Sequence, residues 1–253
     1  MWAIPQDTGP MGMLYRADIF DTHGIQPPKT WDEFAATARK LHKADPDVYL
    51  TNLAANQAAA WHGLMWQAGS QPYTVSGKSD VSIAVDDAAG KKVAAYWGGL
   101  AKEGVIGVEP DFTDSWFAGL NKGKYATWLT AGWGPVFLSG SAKSTAGKWR
   151  AAPLPQWDAA KPSSGNWGGS TSAVIRSTKN PIAAALFAQF LNSDPASAKM
   201  FATKQFFFPA TKALLSDASF LGDAPACYGG QKVNQVFADI GNTVNPSLSP
   251  GAG

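Results

Sequence analysis

Residues 4–34, IPQDTGPMGMLYRADIFDTHGIQPPKTWDEF, decide the fold. The turn-forming PQDTGP separates two short strand candidates, Ala3 with Ile4 and residues 11–15. Residues 17–23 then read as a helix, with Gly24 just past its C-cap and Ile25 as the apolar follower. Pro27 and Pro28 stop helix propagation and hold the chain extended. Thr30 is an N-cap, and Glu33 three residues on completes a capping box. Trp31, Phe34, Ala35, Ala38 and Leu41 recur at helical spacing, giving one apolar stripe.

Outward from this stretch, periodicity and caps predict helices over 58–67, 86–103 and 113–120. The second carries Val93, Trp97 and Leu100 on one face and stops at Gly104. Strands are expected over 81–85, 125–129, 149–152 and 171–175. Asn180 before Pro181 and Asp194 before Pro195 each pair a capping residue with proline at the first helical position, opening helices to 191 and 203. Alternating strands and helices imply an α/β fold. No internal repeat interrupts it. SGSAKSTAGK (139–148) and KPSSGNWGGS (161–170) are flexible by composition, and the tail NPSLSPGAG is expected to be disordered.

With 253 residues, 45% of them apolar, the chain can bury a sizeable core. A net charge of +2, dispersed along the sequence, offers no footprint for nucleic acid. No apolar run approaches the roughly 20 residues of a membrane span, and the first residues lack a signal-peptide layout, which predicts a soluble chain as given. Cys227 stands alone, so no intrachain disulfide or cysteine metal cluster forms, and the compartment stays open.

The signatures of catalysis are missing. His23, His42 and His62 lie at no zinc-ligand spacing, and no nucleophile elbow, Ser-x-x-Lys or dinucleotide fingerprint occurs. GLNKGKY (119–125) lacks the spacing and the Ser or Thr of a phosphate loop. Two carboxylates facing a cleft are what a glycosidase needs. Of the pairs present, Asp32/Glu33 and Asp86/Asp87 sit where acids satisfy free N–H groups at helix starts, and Glu109/Asp111 lies in a loop.

Tryptophan is the unusual component, with eleven in the chain. Trp31 and Trp97 belong to helical apolar stripes and read as core. Trp61, Trp66, Trp116, Trp128, Trp133 and Trp167 fall in or beside loops and helix ends among Gly, Ser, Thr and Asn. Sugars present flat C–H faces ringed by hydroxyls, so broad aromatic platforms with planar hydrogen-bonding side chains suit them. Bulky core filling is the alternative reading for each.

The opening segment resembles the crossover into the second lobe of the extracellular solute-binding proteins of bacterial sugar ABC importers, the maltodextrin-binding-like family. FAGLNKGKYATWLTAGWGP, WRAAPLPQW, GGSTSAVIRSTKNPIAAALFAQFL, FFFPATKALL and YGGQKVNQVF follow in that family's order and cover nearly the whole chain. The resemblance implies an α/β, periplasmic-binding-protein-like two-lobe fold of type II, here mostly the second lobe plus returning first-lobe helices. Its expected divisions are a hinge crossing at 1–10, a second lobe at 11–165, a return crossing with partial first lobe at 166–215, a second-lobe return at 216–243 and a tail at 244–253. About a hundred residues of first lobe and lipoprotein signal would normally precede such a stretch, and further helices follow it, so a piece truncated at both ends is expected.

By matched position, the resemblance assigns Trp133 in TAGWGP as the tryptophan that stacks on the sugar. Trp61 and His62 line the cleft from a helix start, with Trp66 a weaker candidate. Asp7 reaches a hydroxyl at the hinge, and Trp167 with Gly168 forms the return crossing. The implied function is capture of a mono- or oligosaccharide for import, with no catalytic residue, cofactor or metal. The implied partners are the carbohydrate and the ABC permease subunits, at an extracytoplasmic surface reached through a lipid anchor on the missing N-terminus. A secreted carbohydrate-active enzyme or lectin-like module would use the same aromatics.

Overall fold

The computed structural model describes residues 3–77 and 80–244; the tail NPSLSPGAG lies outside them. In chain order the elements are β1 (Ala3–Pro5), β2 (Met11–Arg16), α1 (Ala17–Thr22), α2 (Trp31–Ala44), α3 (Ala58–Gln67), β3 (Tyr73–Ser76), β4 (Asp80–Ile83), α4 (Ala88–Glu103), α5 (Asp114–Lys122), β5 (Thr127–Ala131), α6 (Gly134–Ser141), β6 (Trp149–Pro153), β7 (Thr171–Ala173), α7 (Pro181–Ser193), α8 (Pro195–Lys204), α9 (Lys212–Leu215), α10 (Ala218–Leu221) and α11 (Val233–Gly241). The strands form a three-stranded antiparallel sheet ordered β5-β2-β6 and two separate pairs, β1-β7 and β3-β4.

The sheet β5-β2-β6 is the middle of a three-layer sandwich, and β2 shows why. Met11, Met13 and Tyr15 point into one apolar cluster with α2, α3 and α4, while Leu14 points into a second cluster with α5, α6 and α11. Both faces are covered, so MGML is apolar without alternation. Gly12 is required on the second face, where a Cβ would lie 2.9 Å from both Phe237 and Ile240 of α11.

Local signals place the first helices. After α1, Ile25 N–H donates to the Phe20 carbonyl at 2.8 Å and Gly24 N–H to that of Asp21 at 3.3 Å, with Gly24 at φ 60°. This is a Schellman ending. At the start of α2, Glu33 N–H donates to Thr30 Oγ1 at 3.2 Å, and the Lys29 and Thr30 N–H groups donate back to Glu33 Oε2 at 2.6 and 3.4 Å. The predicted stripe of α2 is buried in full. We expect Thr30→Ala to cost about 0.5–2 kcal/mol in urea unfolding with an unchanged m-value. An unmoved midpoint would show that the box does not hold the helix start.

Several expectations need correction. α4 begins at Ala88, because Asp87 stays extended as the N-cap and accepts from Gly90 N–H at 2.6 Å. β5 begins two residues later than predicted, since Tyr125 is buried between Gly107 and Gly119 ahead of the ladder. Asn180 makes no side-chain cap; its own N–H donates to Thr178 Oγ1 at 3.2 Å, whereas Asp194 caps α8 through the Ala196 and Ser197 N–H groups. The two segments read as flexible are tied down. Trp149 Nε1 donates to Thr145 Oγ1 at 2.7 Å, Ser164 Oγ donates to the Met11 carbonyl at 2.7 Å, and Ser164 bridges Val244.

Candidate functional site

Three segments run side by side between the sandwich and the β1-β7 ribbon. Gln6 N–H donates to the Ser170 carbonyl at 2.8 Å, Trp167 N–H to that of Gly9 at 2.7 Å, and Thr8 N–H to that of Phe208 at 2.9 Å. Asp7 bridges Pro209, and Gly9 N–H donates to Asn166 Oδ1 at 3.2 Å. The Asp7 carboxylate is buried and accepts the Ser170 N–H, so it ties two crossing segments together. A Cβ on Gly9 would lie 2.0 Å from the Trp167 carbonyl oxygen, which makes glycine obligatory there. Gly168 and Gly169 turn the chain after Trp167 at φ 78° and 122°.

Trp133 stands where β5 passes into α6, next to these crossings. Its indole Nε1 donates to the Trp167 carbonyl at 2.8 Å, and the two rings meet edge to face at 4.8 Å and 77°. Trp61, on α3, is half-buried and lines a cavity together with Trp167. The structure therefore brings Trp133, Trp167 and Trp61 into one region with Gly168 at its edge. His62 and Trp66, on the same helix, do not join that grouping. His62 Nε2 is 3.4 Å from Tyr73 Oη, with the rings edge to face at 5.4 Å. Trp66 falls about 140° around α3 from Trp61 and does not line the cavity.

Trp116 and Trp128, candidate platforms by sequence, are buried and form the back of the region. Phe112 joins back to front. Its ring lies 5.0–6.4 Å from those of Trp116, Trp128, Trp133, Phe137 and Trp167. At φ 57° it holds a left-handed backbone unusual for a bulky residue. Nothing in the local sequence announces this hub; the contacts come from distant strands and helices.

The loop carrying Phe112 is fastened by two asparagines at the approach to α3. Asn52 exchanges hydrogen bonds with the Glu109 backbone at 2.8 and 2.9 Å, and Asn56 does the same with Asp111 at 3.3 and 3.2 Å. Glu109 binds Lys124 and accepts from Tyr125 Oη at 2.6 Å, and these side chains hold its carboxyl below the ordinary value. Burial instead pushes the Asp111 carboxyl up, against the opposing Gln57 and Asn56 side chains. Glu33, Asp87 and Glu109 are thus all engaged in capping or ion pairing. No group of three or more His, Cys, Asp or Glu that could hold a metal occurs among the described residues.

Residues 1–198 match the bacterial extracellular solute-binding protein family. The ABC transporter associated binding protein from B. animalis subsp. lactis Bl-04, solved with β-1,6-galactobiose, superposes with a TM-score of 0.86 at 30% identity, over 97% of this chain and 62% of that one. The galacto-N-biose/lacto-N-biose I-binding protein of Bifidobacterium longum gives 0.79 at 23% identity, over 98% and 61%. The sugar-binding protein MalE of Xanthomonas citri gives 0.68 at 18% identity, over 98% and 61%. The latter two bear on the fold alone. The chain thus spans 61–62% of the length of these structures, whose fold is that of type II periplasmic binding proteins. No helix among the described residues is long and apolar enough to cross a membrane. With more than half of its length matched, the chain belongs to the bacterial extracellular solute-binding protein family.

Proposed function

We propose that the chain is part of the substrate-binding component of a sugar ABC importer, acting without catalysis. The observation that carries this reading is the grouping of Trp133, Trp167 and Trp61 beside the crossing segments. Trp133 and Trp61 are half-buried and Trp167 is buried beside them, so two indoles at a hinge can offer a ring face to a sugar while the hinge keeps the freedom to close over it. Asp7 and Gly168 serve the crossing itself, and His62 and Trp66 flank the site from α3. In this reading an open cleft takes up a mono- or oligosaccharide, closure buries it, and the closed form docks on the permease. In the same reading the full-length protein is an extracytoplasmic, membrane-anchored lipoprotein of the cell surface or periplasm.

The lobe divisions follow the same reading. Residues 11–165 and 216–243 form one lobe, supported by the packing of α11 on β2 and β6. Residues 1–10 and 166–170 cross, and the remainder to 215 belongs to the other lobe.

β-1,6-Galactobiose, the ligand of the 30%-identical structure, is the first probe. In the full-length protein, Trp133→Ala should weaken its binding by about 1–3 kcal/mol in calorimetry, taking the range for bases stacked on aromatic side chains as a guide. Trp133→Phe separates two roles, because it keeps a ring but gives up the indole bond to Trp167. Retained affinity assigns Trp133 to stacking, and an equal loss in both variants assigns it to holding Trp167. Release of galactose from the probe would overturn the binding-protein reading.

A further inference from the structure

Beside the Trp61 and Trp167 rings the cavity they line has a volume of about 40 Å³. Three of its other lining residues are almost wholly buried, Trp97 and Trp116 at 1% exposure and Asp111 at 4%. Each of the three carries a buried polar atom with no hydrogen-bond partner among the described residues: Trp97 Nε1, Trp116 Nε1 and Asp111 Oδ1. Asn52 and Gln57 also line the cavity; the Asn52 amide is spent on the Glu109 backbone, and the Gln57 side chain faces the Asp111 carboxyl, whose Oδ1 still has no partner at hydrogen-bond distance. Trp157 Nε1, Thr130 Oγ1 and Asn192 Oδ1 are unpartnered too, yet belong to residues that do not line this cavity. A buried unpaired donor or acceptor is costly, so three on one small cavity are a specification for what the cavity takes.

The specification is two donors and one acceptor. A carbonyl oxygen accepts from both indoles and leaves the carboxylate unanswered. An ammonium group answers the carboxylate and leaves both indoles unpaired. A hydroxyl-type oxygen, with two lone pairs and a proton to give, satisfies all three. The volume fits one or a few such oxygens, above the roughly 10–15 Å³ one needs and far below the roughly 300 Å³ of a whole-ligand pocket. The Asp111 loop is also built to stay in place. Asn56 grips the Asp111 backbone from both sides, and the next residue is the left-handed Phe112.

We propose that this cavity is a hydroxyl subsite beside the aromatic wall, in which one or a few hydroxyl-type oxygens accept from the Trp97 and Trp116 indole N–H groups and donate to Asp111 Oδ1. The oxygens belong to water or to the bound sugar. The sugar as their source rests on the sugar-binding reading above; the preference for a hydroxyl does not.

The test is indole NMR on the whole chain with ¹⁵N-labelled tryptophan, recorded free and with β-1,6-galactobiose. In the free protein both indole N–H protons should show a nuclear Overhauser effect to water, and both resonances should move in Asp111→Asn. If the sugar replaces the water effect with one to its own protons, the ligand supplies the oxygen. If the water effect persists while other signals shift, the subsite stays hydrated beneath the ligand. If the sugar moves nothing up to millimolar concentration while the water effect holds, the subsite stands and galactobiose recognition falls. Indole protons that report neither water nor sugar overturn the proposal. A crystal structure resolving ordered water gives the same answer without any variant. Oxygen density about 2.7–3.2 Å from the three atoms supports the subsite, and a cavity without density removes it.

Discussion

Trp31→Ala is expected to destabilise the protein by about 3–5 kcal/mol, the usual cost of deleting a buried tryptophan. Trp31 is 1% exposed, and its ring lies 5.4–5.7 Å from those of Phe34, Tyr96, Trp97 and Trp157. Alanine would leave a cavity bounded by rings already fixed in α2 and α4, which limits its collapse. A second loss is polar. Trp31 Nε1 donates to Gln67 Oε1 at 3.1 Å, while Gln67 Nε2 donates to the Pro155 carbonyl at 2.7 Å and to that of Ser163 at 3.2 Å. Gln67 is the last residue of α3, whose start has no side-chain cap, so this amide is a main anchor of the helix that carries Trp61. Trp31→Phe should cost less, because most of the ring stays, but it leaves Gln67 Oε1 unpaired at about 1–3 kcal/mol. Against a total stability of about 5–15 kcal/mol, the alanine variant should show a sharply lowered urea midpoint. A cost below about 1 kcal/mol would mean that this aromatic cluster does not anchor the sandwich.

The reach of sequence reading follows from where the determining contacts lie. Thr30 with Glu33, Gly24 with Ile25, and Asp194 act on backbone groups within a few residues, so their patterns are complete in a short window. The stripe of α2 is legible because its core side is continuous. α11 escaped recognition because Lys232 provides no side-chain cap and the helix is short. β3 escaped because all four of its residues are exposed, and it exists through pairing with β4 instead of through a buried face. At the site, Trp133 and Trp167 were legible as aromatics in glycine-rich segments. Their mutual hydrogen bond spans 34 positions. Asp111 and Phe112 depend on partners from α3, α4 and β5, and a loop reading of PDF contains no trace of them.

The largest expected effect in solution concerns α7 and α8. α7 packs on the β1-β7 ribbon, with Ala188 buried, and α8 packs on α7, but Ile182, Leu186, Phe187, Phe190 and Met200 are 58–76% exposed. Leu191 and Phe201 of the same two helices are half-buried. Complete burial of such side chains contributes about 1.5–3 kcal/mol each, so covering the five exposed ones would add on the order of 5–9 kcal/mol, allowing for what is already buried. That is comparable to the stability of a typical domain, and an open apolar face of this kind seeks a partner. We therefore expect the 253-residue chain to bind a hydrophobic dye and to self-associate with concentration in sedimentation velocity. Leu186→Glu combined with Phe187→Lys should abolish both while leaving the urea midpoint nearly unchanged, since neither side chain is buried. In the proposed two-lobe reading the same face is covered by the sheet of the first lobe, and adding that lobe should quench the dye as the double variant does. A monomeric, dye-free chain would show that α7 and α8 need no cover, and the assignment of residues 171–215 to the first lobe would fall with it.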